Sequence, residues 1–229
     1  MILLALETGT EACSVALWID GDVRERFEVA PRRHAELVLP WTDALLAEAG
    51  VRKSQLDAIA CGRGPGAFTG VRLAVALTQG LALALDRPVL GISTLAALAL
   101  DAPAQDGEPI LAAIDARMGE VYVGGYVRDT EGLSTCMDEA LAPPQAVDAA
   151  QAAAWVGVGT GFGAVDGALV ARLGTRLRSF DADALPHAAA VARLAAISYA
   201  RGEAIAPERL EPAYLRDKVA LTLVEQGKA

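Results

Sequence analysis

Cys61-Gly62-Arg63-Gly64-Pro65-Gly66-Ala67-Phe68-Thr69-Gly70-Val71-Arg72-Leu73 is the stretch whose reading decides the fold. A strand-like run, 56–60, leads into it, and a long apolar helical pattern, 71–85, leads out. Four glycines and a proline stand at the junction. Glycine admits positive φ and close backbone approach, and proline fixes φ and donates no ladder bond. These residues predict a built strand-to-helix turn whose peptide N–H groups gather at a helix N-terminus, the way anion sites are made. The spacing is neither G-x-G-x-x-G nor the Walker loop, since no Lys-Ser/Thr follows. A phosphate cradle and a plain rigid turn both fit it.

Upstream, residues 2–6 are continuously apolar, as in a strand buried on both faces. Residues 7–11 read as a turn, 13–19 as a second strand, and Asp20-Gly21-Asp22 as a hairpin into a third strand, 23–29. A helical period covers 35–49, with Pro40 predicting a kink or a late start and Gly50 a C-cap. Downstream, 68–85 is a helix, 89–92 a strand and 94–100 a helix. The order β-β-β-α-β-α-β-α is then complete. Residues 102–109, rich in Pro, Gly and Asp, predict a linker. After it the pattern restarts: a strand at 110–114, a turn at 115–120, a strand at 121–127 and a third at 135–140. Pro143-Pro144 opens a predicted helix over 144–153, 155–158 is a strand, and 185–201 a long helix with His187 in its first turn. The tail, 207–229, is short and mixed. The second half reads as a degraded copy of the first, which predicts lobes over 1–102 and 103–229, the last helix or tail returning to the first lobe.

With 229 residues, 53% of them hydrophobic and only 5% aromatic, the chain can build a large core of Ala, Leu and Val. Three widely spaced cysteines, Cys13, Cys61 and Cys136, argue against a disulfide framework and fit a reducing cytoplasm. No leader pattern opens the sequence, and the most apolar helical run, 73–85, reads as too short to span a bilayer. A net charge of −9 speaks against independent binding to nucleic acid.

Two histidines far apart, His34 and His187, make no metal cluster, and no G-x-S-x-G elbow supports a hydrolase. Glu7 and Asp115 end the first strand of each half. Paired acids at these places suggest a cleft between lobes, and turn-capping acids fit equally. The helix 68–85 leaves no solvated stripe, and its small residues Gly70, Ala74, Ala76 and Gly80 favour close approach by another helix. It is expected to be covered by its own sheet and by another chain, a place between the two lobes being the alternative.

Leu4-Ala5-Leu6-Glu7-Thr8, Glu11-Ala12-Cys13-Ser14-Val15-Ala16-Leu17, Gly62 to Arg72, Gly80-Leu81-Ala82, Ile92-Ser93-Thr94-Leu95, Ala113 to Tyr122 and Glu211-Pro212-Ala213-Tyr214-Leu215-Arg216 occur together and in order. By these residues nearly the whole chain resembles the TsaB (YeaZ) family. The resemblance implies an α/β, two-lobed, actin-like or Hsp70-like fold of the ribonuclease H-like class, its second lobe smaller. It implies a non-catalytic scaffold subunit for N6-threonylcarbamoyladenosine (t6A) at position 37 of tRNAs reading ANN codons. The implied partners are TsaD, TsaE and, upstream, TsaC, with tRNA met through the complex and a homodimer formed when the chain is alone.

No intrinsic cofactor or metal is implied, ATP and metal belonging to partner subunits. Thr94 and Leu98 stand where TsaD carries its metal-binding His-x-x-x-His. Ala67 replaces a common serine of the family, which removes a hydroxyl from the turn and weakens a phosphate claim; Glu7 replaces a common aspartate, which matters less because TsaD-type sequences carry Glu there. Residues of a vestigial nucleotide or phosphate site are then Glu7, Gly64, Gly66, Thr69 and Asp115. Partner-interface residues are Leu37, Trp41, Leu45, Arg72, Leu73, Ala76, Leu77, Gly80 and Ala84. The role of Arg117 stays open. The rival reading is an enzyme of the same fold, an actin-like ATPase or a glycoprotease-like peptidase.

Overall fold

Leu3, Leu4, Ala5 and Leu6 are each at most 1% exposed, because they form the middle strand of a sheet covered on both faces. The computed structural model describes residues 1–130 and 132–216. Its first half contains β1 (Ile2–Glu7), β2 (Ala12–Ile19), β3 (Asp22–Val29), α1 (His34–Ala49), β4 (Ala58–Gly62), α2 (Phe68–Leu85), β5 (Val89–Ile92) and α3 (Thr94–Leu100). The sheet order is β3-β2-β1-β4-β5. β1, β2 and β3 pair antiparallel, while β4 lies parallel to β1 and β5 parallel to β4.

Alternation along β1 sends Leu4 and Leu6 to one face and Leu3 and Ala5 to the other. Val38, Leu45 and Leu46 of α1 and Ala74, Val75 and Ala82 of α2 cover the first face. The second face is covered by Ala97 of α3 and by an alanine-rich helix from the far end of the chain. Small side chains let that helix lie close to the strands.

The second half repeats the plan with β6 (Pro109–Arg117), β7 (Glu120–Asp129), β8 (Gly132–Ala142), β9 (Trp155–Val158), α4 (Ala168–Leu173), β10 (Leu177–Asp181) and α5 (Ala188–Ala200). Its sheet, β10-β9-β6-β7-β8, has the same succession of antiparallel and parallel pairs. The expected two-lobed α/β class is what the chain adopts. α5 is the helix that covers the second face of the first sheet.

Several expectations need correction. The helix predicted over 144–153 is only a 3-10 turn, Pro144–Ala146. Beyond it the chain is pinned by burial of Val147 and Ala149 and by the Trp155 indole N–H donating to Ala149 O at 3.0 Å. α5 starts at Ala188, with His187 as its N-cap residue. α1 starts at His34 and runs through Pro40, so there is no late start. Within 102–109, Ala102 and Ala104 are buried, and the Arg128 guanidinium donates to the carbonyls of Leu100, Ala102 and Ala104. The part of the tail beyond residue 216 lies outside the described residues. The length argument against a bilayer span also falls, because α2 has 18 residues and is long and apolar enough to cross one. Its Val71, Ala74, Val75, Thr78 and Ala82 side is nevertheless buried in the protein.

α5 is fastened at its N-terminus by residues of β2 and β3. Ala188 N donates to Ser14 Oγ at 2.9 Å and Ala189 N to Glu25 Oε1 at 3.0 Å. Ser14 Oγ donates to the same carboxylate at 2.7 Å, and His187 Nδ1 lies 2.9 Å from Glu25 Oε2. The His187 ring stacks on Phe27. Burial pushes the Glu25 carboxyl up, but the bonds from His187, Ser14 and Ala189 outweigh it and hold the group below its usual value. The bond to Glu25 raises His187. A lowered carboxyl stabilises above its ordinary pKa and loses that contribution as pH falls through the lowered value. A raised imidazole stabilises below its ordinary pKa and loses that contribution as pH rises through the raised value. Attachment of α5 is therefore strongest between the ordinary carboxylate and imidazole values. Glu25→Ala is expected to cost about 2 kcal/mol, read as a lower melting temperature in that window. Equal melting temperatures for variant and parent would refute it.

Candidate functional site: the cleft between lobes and the outer face of α2

A cleft of about 1150 Å³ opens between the lobes. The first lobe contributes the β1–β2 turn (Gly9, Thr10, Glu11), Arg32 and His34, and the start of α2 from Gly66 to Leu73. The second contributes Ile114, Asp115, Ala116 and Arg117 with Tyr122 and Thr160, and the closing rim is Ala213 to Arg216. The volume exceeds the ~300–1,000 Å³ typical of small-ligand pockets.

The glycine turn is stitched to the β1–β2 turn. Ala67 N donates to Gly9 O at 2.7 Å, and Thr8 Oγ1 to Gly70 O at 2.7 Å. A Cβ on Gly66 would stand 2.3 Å from Gly9 O, and one on Gly70 1.9 Å from Thr8 O. Glycine is needed at both places by backbone contact inside the chain. Gly64 has φ +95°, its N–H donates to Thr94 Oγ1 at 3.2 Å, and its carbonyl accepts from Thr94 N at 2.9 Å. Thr69 is exposed and lines the cleft.

The two acids part company. Asp115 lines the cleft, with Oδ1 accepting from Arg117 N at 2.8 Å and Oδ2 paired with the Arg117 guanidinium at 2.9 Å. Arg117, Met118 and Gly119 all have positive φ, which makes the β6–β7 tip. Arg117 is otherwise in solvent, its side chain 82% exposed. Glu7 is fully buried beneath the turn. Its Oε1 accepts from Gly9 N at 2.6 Å and its Oε2 from Thr94 Oγ1 at 3.1 Å. A Cβ on Gly62 would fall 1.8 Å from Glu7 Oε2.

Burial pushes Glu7 up to about 7, against the bonds from Gly9, Thr94 and Thr8. Between its ordinary value of 4.5 and that raised value, the folded chain holds a proton that the unfolded chain has released. The contribution of Glu7 to stability therefore falls as pH rises through this window, by roughly 3 kcal/mol. Glu7→Gln is expected to flatten the slope of melting temperature between pH 5 and 8. A variant with the parent's slope would assign the slope elsewhere.

Thr94 is thus a knot between turn, sheet and Glu7, a role its sequence context did not signal. Leu98, four residues on, is a core residue between lobes. Among the described residues no group of three or more His, Cys, Asp or Glu is placed to hold a metal. His34 Nε2 lies 3.0 Å from Thr10 O and 3.1 Å from Ala12 O, so it braces the β1–β2 turn. Burial pushes the Cys13 and Cys61 thiols up to about 12, so neither supplies a thiolate near neutrality.

The predicted interface residues do not all share one surface. On α2, Arg72, Ala76, Gly80 and Ala84 are exposed, while Leu73 and Leu77 are half-buried. Phe68 and Leu83, which the sequence reading omitted, join the exposed stripe at 50% and 63% exposure. Spacings of three and four place these residues on one helix face. A Cβ on Gly80 would meet nothing within 4 Å. On α1, Leu37 and Trp41 are half-buried over the same core. Leu45 is 2% exposed and faces the sheet, because the helical period that selected it marks the core side. The α2 stripe is open to solvent in the isolated chain from Ala76 to Ala84, while its start, Phe68 and Arg72, lines the cleft between the lobes.

The family model described as TsaD, tRNA N6-adenosine threonylcarbamoyltransferase, matches residues 28–222. The Escherichia coli K12 tRNA threonylcarbamoyladenosine biosynthesis protein TsaB is 42% identical over 230 residues, covering 96% of each chain. Among solved structures, YeaZ from Pseudomonas aeruginosa is 49% identical with a TM-score of 0.86, over 93% of this chain and 99% of that one. A second Pseudomonas aeruginosa structure, described as similar to peptidase YEAZ, is 50% identical with a TM-score of 0.85, over 94% and 99%.

Proposed function

This chain belongs to the TsaB family of tRNA threonylcarbamoyladenosine biosynthesis proteins, and on that premise we propose that it is the non-catalytic scaffold and activator subunit of the transfer step. That step forms t6A at position 37 of tRNAs reading ANN codons. The observation that carries the reading is the uncovered stripe of α2, apolar but for Thr69 and Arg72, with Gly80 left open for close helix approach.

The occupant of that face is TsaD. The family model that matches this chain is itself TsaD's, so the two share a scaffold and present related helix faces. Like faces pair around a pseudo-twofold axis, as in isologous dimers. When the chain is alone, a second copy takes the place of TsaD. TsaE and TsaC act with the pair, ATP and metal reside on the partner subunits, and all of this takes place in the cytoplasm. With a net charge of −9, the chain meets tRNA through the complex. The cleft is an inherited nucleotide site lined by Gly66, Thr69 and Asp115, in which Gly64 and Gly66 now serve the glycine turn and Asp115 the β6–β7 tip, with Glu7 buried below.

Reconstitution with TsaC, TsaD and TsaE, with and without this chain, tests the proposal. Modification of tRNA is expected to depend on the chain. Full modification without it, or nucleotide hydrolysis or peptide cleavage by the chain alone, overturns the proposal in favour of the enzymatic rival.

A further inference from the structure

The stretch Glu211-Pro212-Ala213-Tyr214-Leu215-Arg216 has no part in the docking described so far, yet it touches both lobes. Leu210, just before it, is buried in the core of the first lobe. Gln79 of α2 donates to the carbonyls of Pro207 and Leu210 at 3.0 and 3.1 Å. Ala213 N donates to Arg63 O, inside the glycine turn, at 2.7 Å. Three residues later the chain reaches the other lobe. Arg216 Nη2 donates to Ala116 O at 3.0 Å, and Nη1 pairs with Glu120 Oε2 at 2.7 Å. Its side chain is only 17% exposed. A planar fork that holds a carbonyl and a carboxylate together is a task for arginine.

Between these anchors Tyr214 meets α2. Arg72 Nε donates to Tyr214 OH at 2.7 Å. The Arg72 guanidinium lies 3.6 Å from the Phe68 ring centroid and 5.4 Å from that of Tyr214. Phe68 and Tyr214 are both about half exposed. An arginine held by two aromatic rings is ordered before any partner arrives, so its contact loses less side-chain entropy.

We propose that residues 211–216 form a strap in which Tyr214 positions Arg72 on the docking face and Arg216 latches the second lobe to the same end of α2. Partner affinity then depends on the second lobe, through a contact on the cleft side of α2. The coupling rests on the docking reading above; the latch does not. Both Tyr214 and Arg216 are positioning residues, acting through Arg72 and through the angle between lobes.

Two measurements separate the parts. Lobe separation is read from spin labels on the native exposed Cys136 in β8 and on a Ser54→Cys variant in the first lobe, diluted with unlabelled chain. Affinity for TsaD is read by calorimetry. Arg216→Met is expected to lengthen or broaden the label distance and to weaken TsaD binding about tenfold. Arg216→Lys, which keeps one bond, should fall between. Tyr214→Leu should weaken binding without moving the labels, and Tyr214→Phe should do so less. Combined with Arg72→Met, Tyr214→Leu should add nothing further. Unmoved labels in Arg216→Met overturn the latch, and moved labels with unchanged affinity overturn the coupling. If the parent chain fails to bind TsaD, the docking reading and the coupling both fall, and the label distances alone support or overturn the latch.

Discussion

Gly70→Ala should lower the melting temperature by about 6–12 °C, a loss of about 3 kcal/mol or more for a domain of this size. The added methyl would sit 1.9 Å from Thr8 O and 3.0 Å from Thr8 C. Those are backbone atoms that no rotamer change can move aside. The obstructed contact is also the one in which Thr8 Oγ1 bonds Gly70 O, so a shift of α2 would break that bond. Gly80→Ala, in the same helix, supplies the control. A Cβ there meets nothing, and removing a mid-helix glycine should stabilise the isolated chain by roughly 0.5–1 kcal/mol. Gly80→Ala should at the same time weaken assembly, because it fills the gap a facing helix would use. Thermal melts of both variants decide the first contrast. A Gly70→Ala protein as stable as the parent would mean that α2 is not seated as described.

Ala76→Glu should leave folding intact and abolish assembly. Ala76 is exposed in the middle of the α2 stripe, so the isolated chain gives up no buried contact. In a complex the new carboxylate would be buried against an apolar face without a partner, which costs several kcal/mol. A loss of at least about a hundredfold in affinity for TsaD is expected, near 2.7 kcal/mol, with the same effect on self-association. Solution mass and calorimetry read both, and t6A formation in the reconstituted system should fall with them. A variant that assembles and activates as the parent does would move the docking face elsewhere.

The sequence was most legible where period and punctuation agree. The bounds of α2 follow from the glycine turn before it and the end of the apolar run after it. The both-faces-buried reading of β1 follows from its lack of alternation. The repeat of the sheet plan was visible as a recurrence of elements without recurrence of identity. What failed was local propensity without a core contact to support it. Ala-rich 147–154 has helical composition, but Pro143 and Pro144 start only a 3-10 turn, and burial of Val147 and Ala149 fixes a loop instead. β10 and α4 were missed because they are short and edged by turns, and β10 is largely exposed.

The site was less legible than the fold. Glu7 and Asp115 end equivalent strands, but only Asp115 lines the cleft. A strand-end acid can turn into the sheet or out of it, and the choice depends on Gly62 leaving room for the Glu7 carboxylate. Leu45 shows the same ambiguity on a helix, since an apolar position marks a core stripe and a docking stripe alike. Thr94 and Arg216 carry their roles through contacts with residues far away in the chain, which no local pattern encodes.

The closing of the first sheet by α5 has a consequence in time. Leu3, Ala5, Ala58, Ala60 and Leu90 are made early, and the helix that covers their face begins only at Ala188. At ~5–20 residues per second, on the order of 100 intervening residues take roughly 5–20 s to synthesise. For that interval one side of the first sheet is an apolar surface on the nascent chain with only α3 to cover it. The first lobe is completed last, although it is the first to emerge.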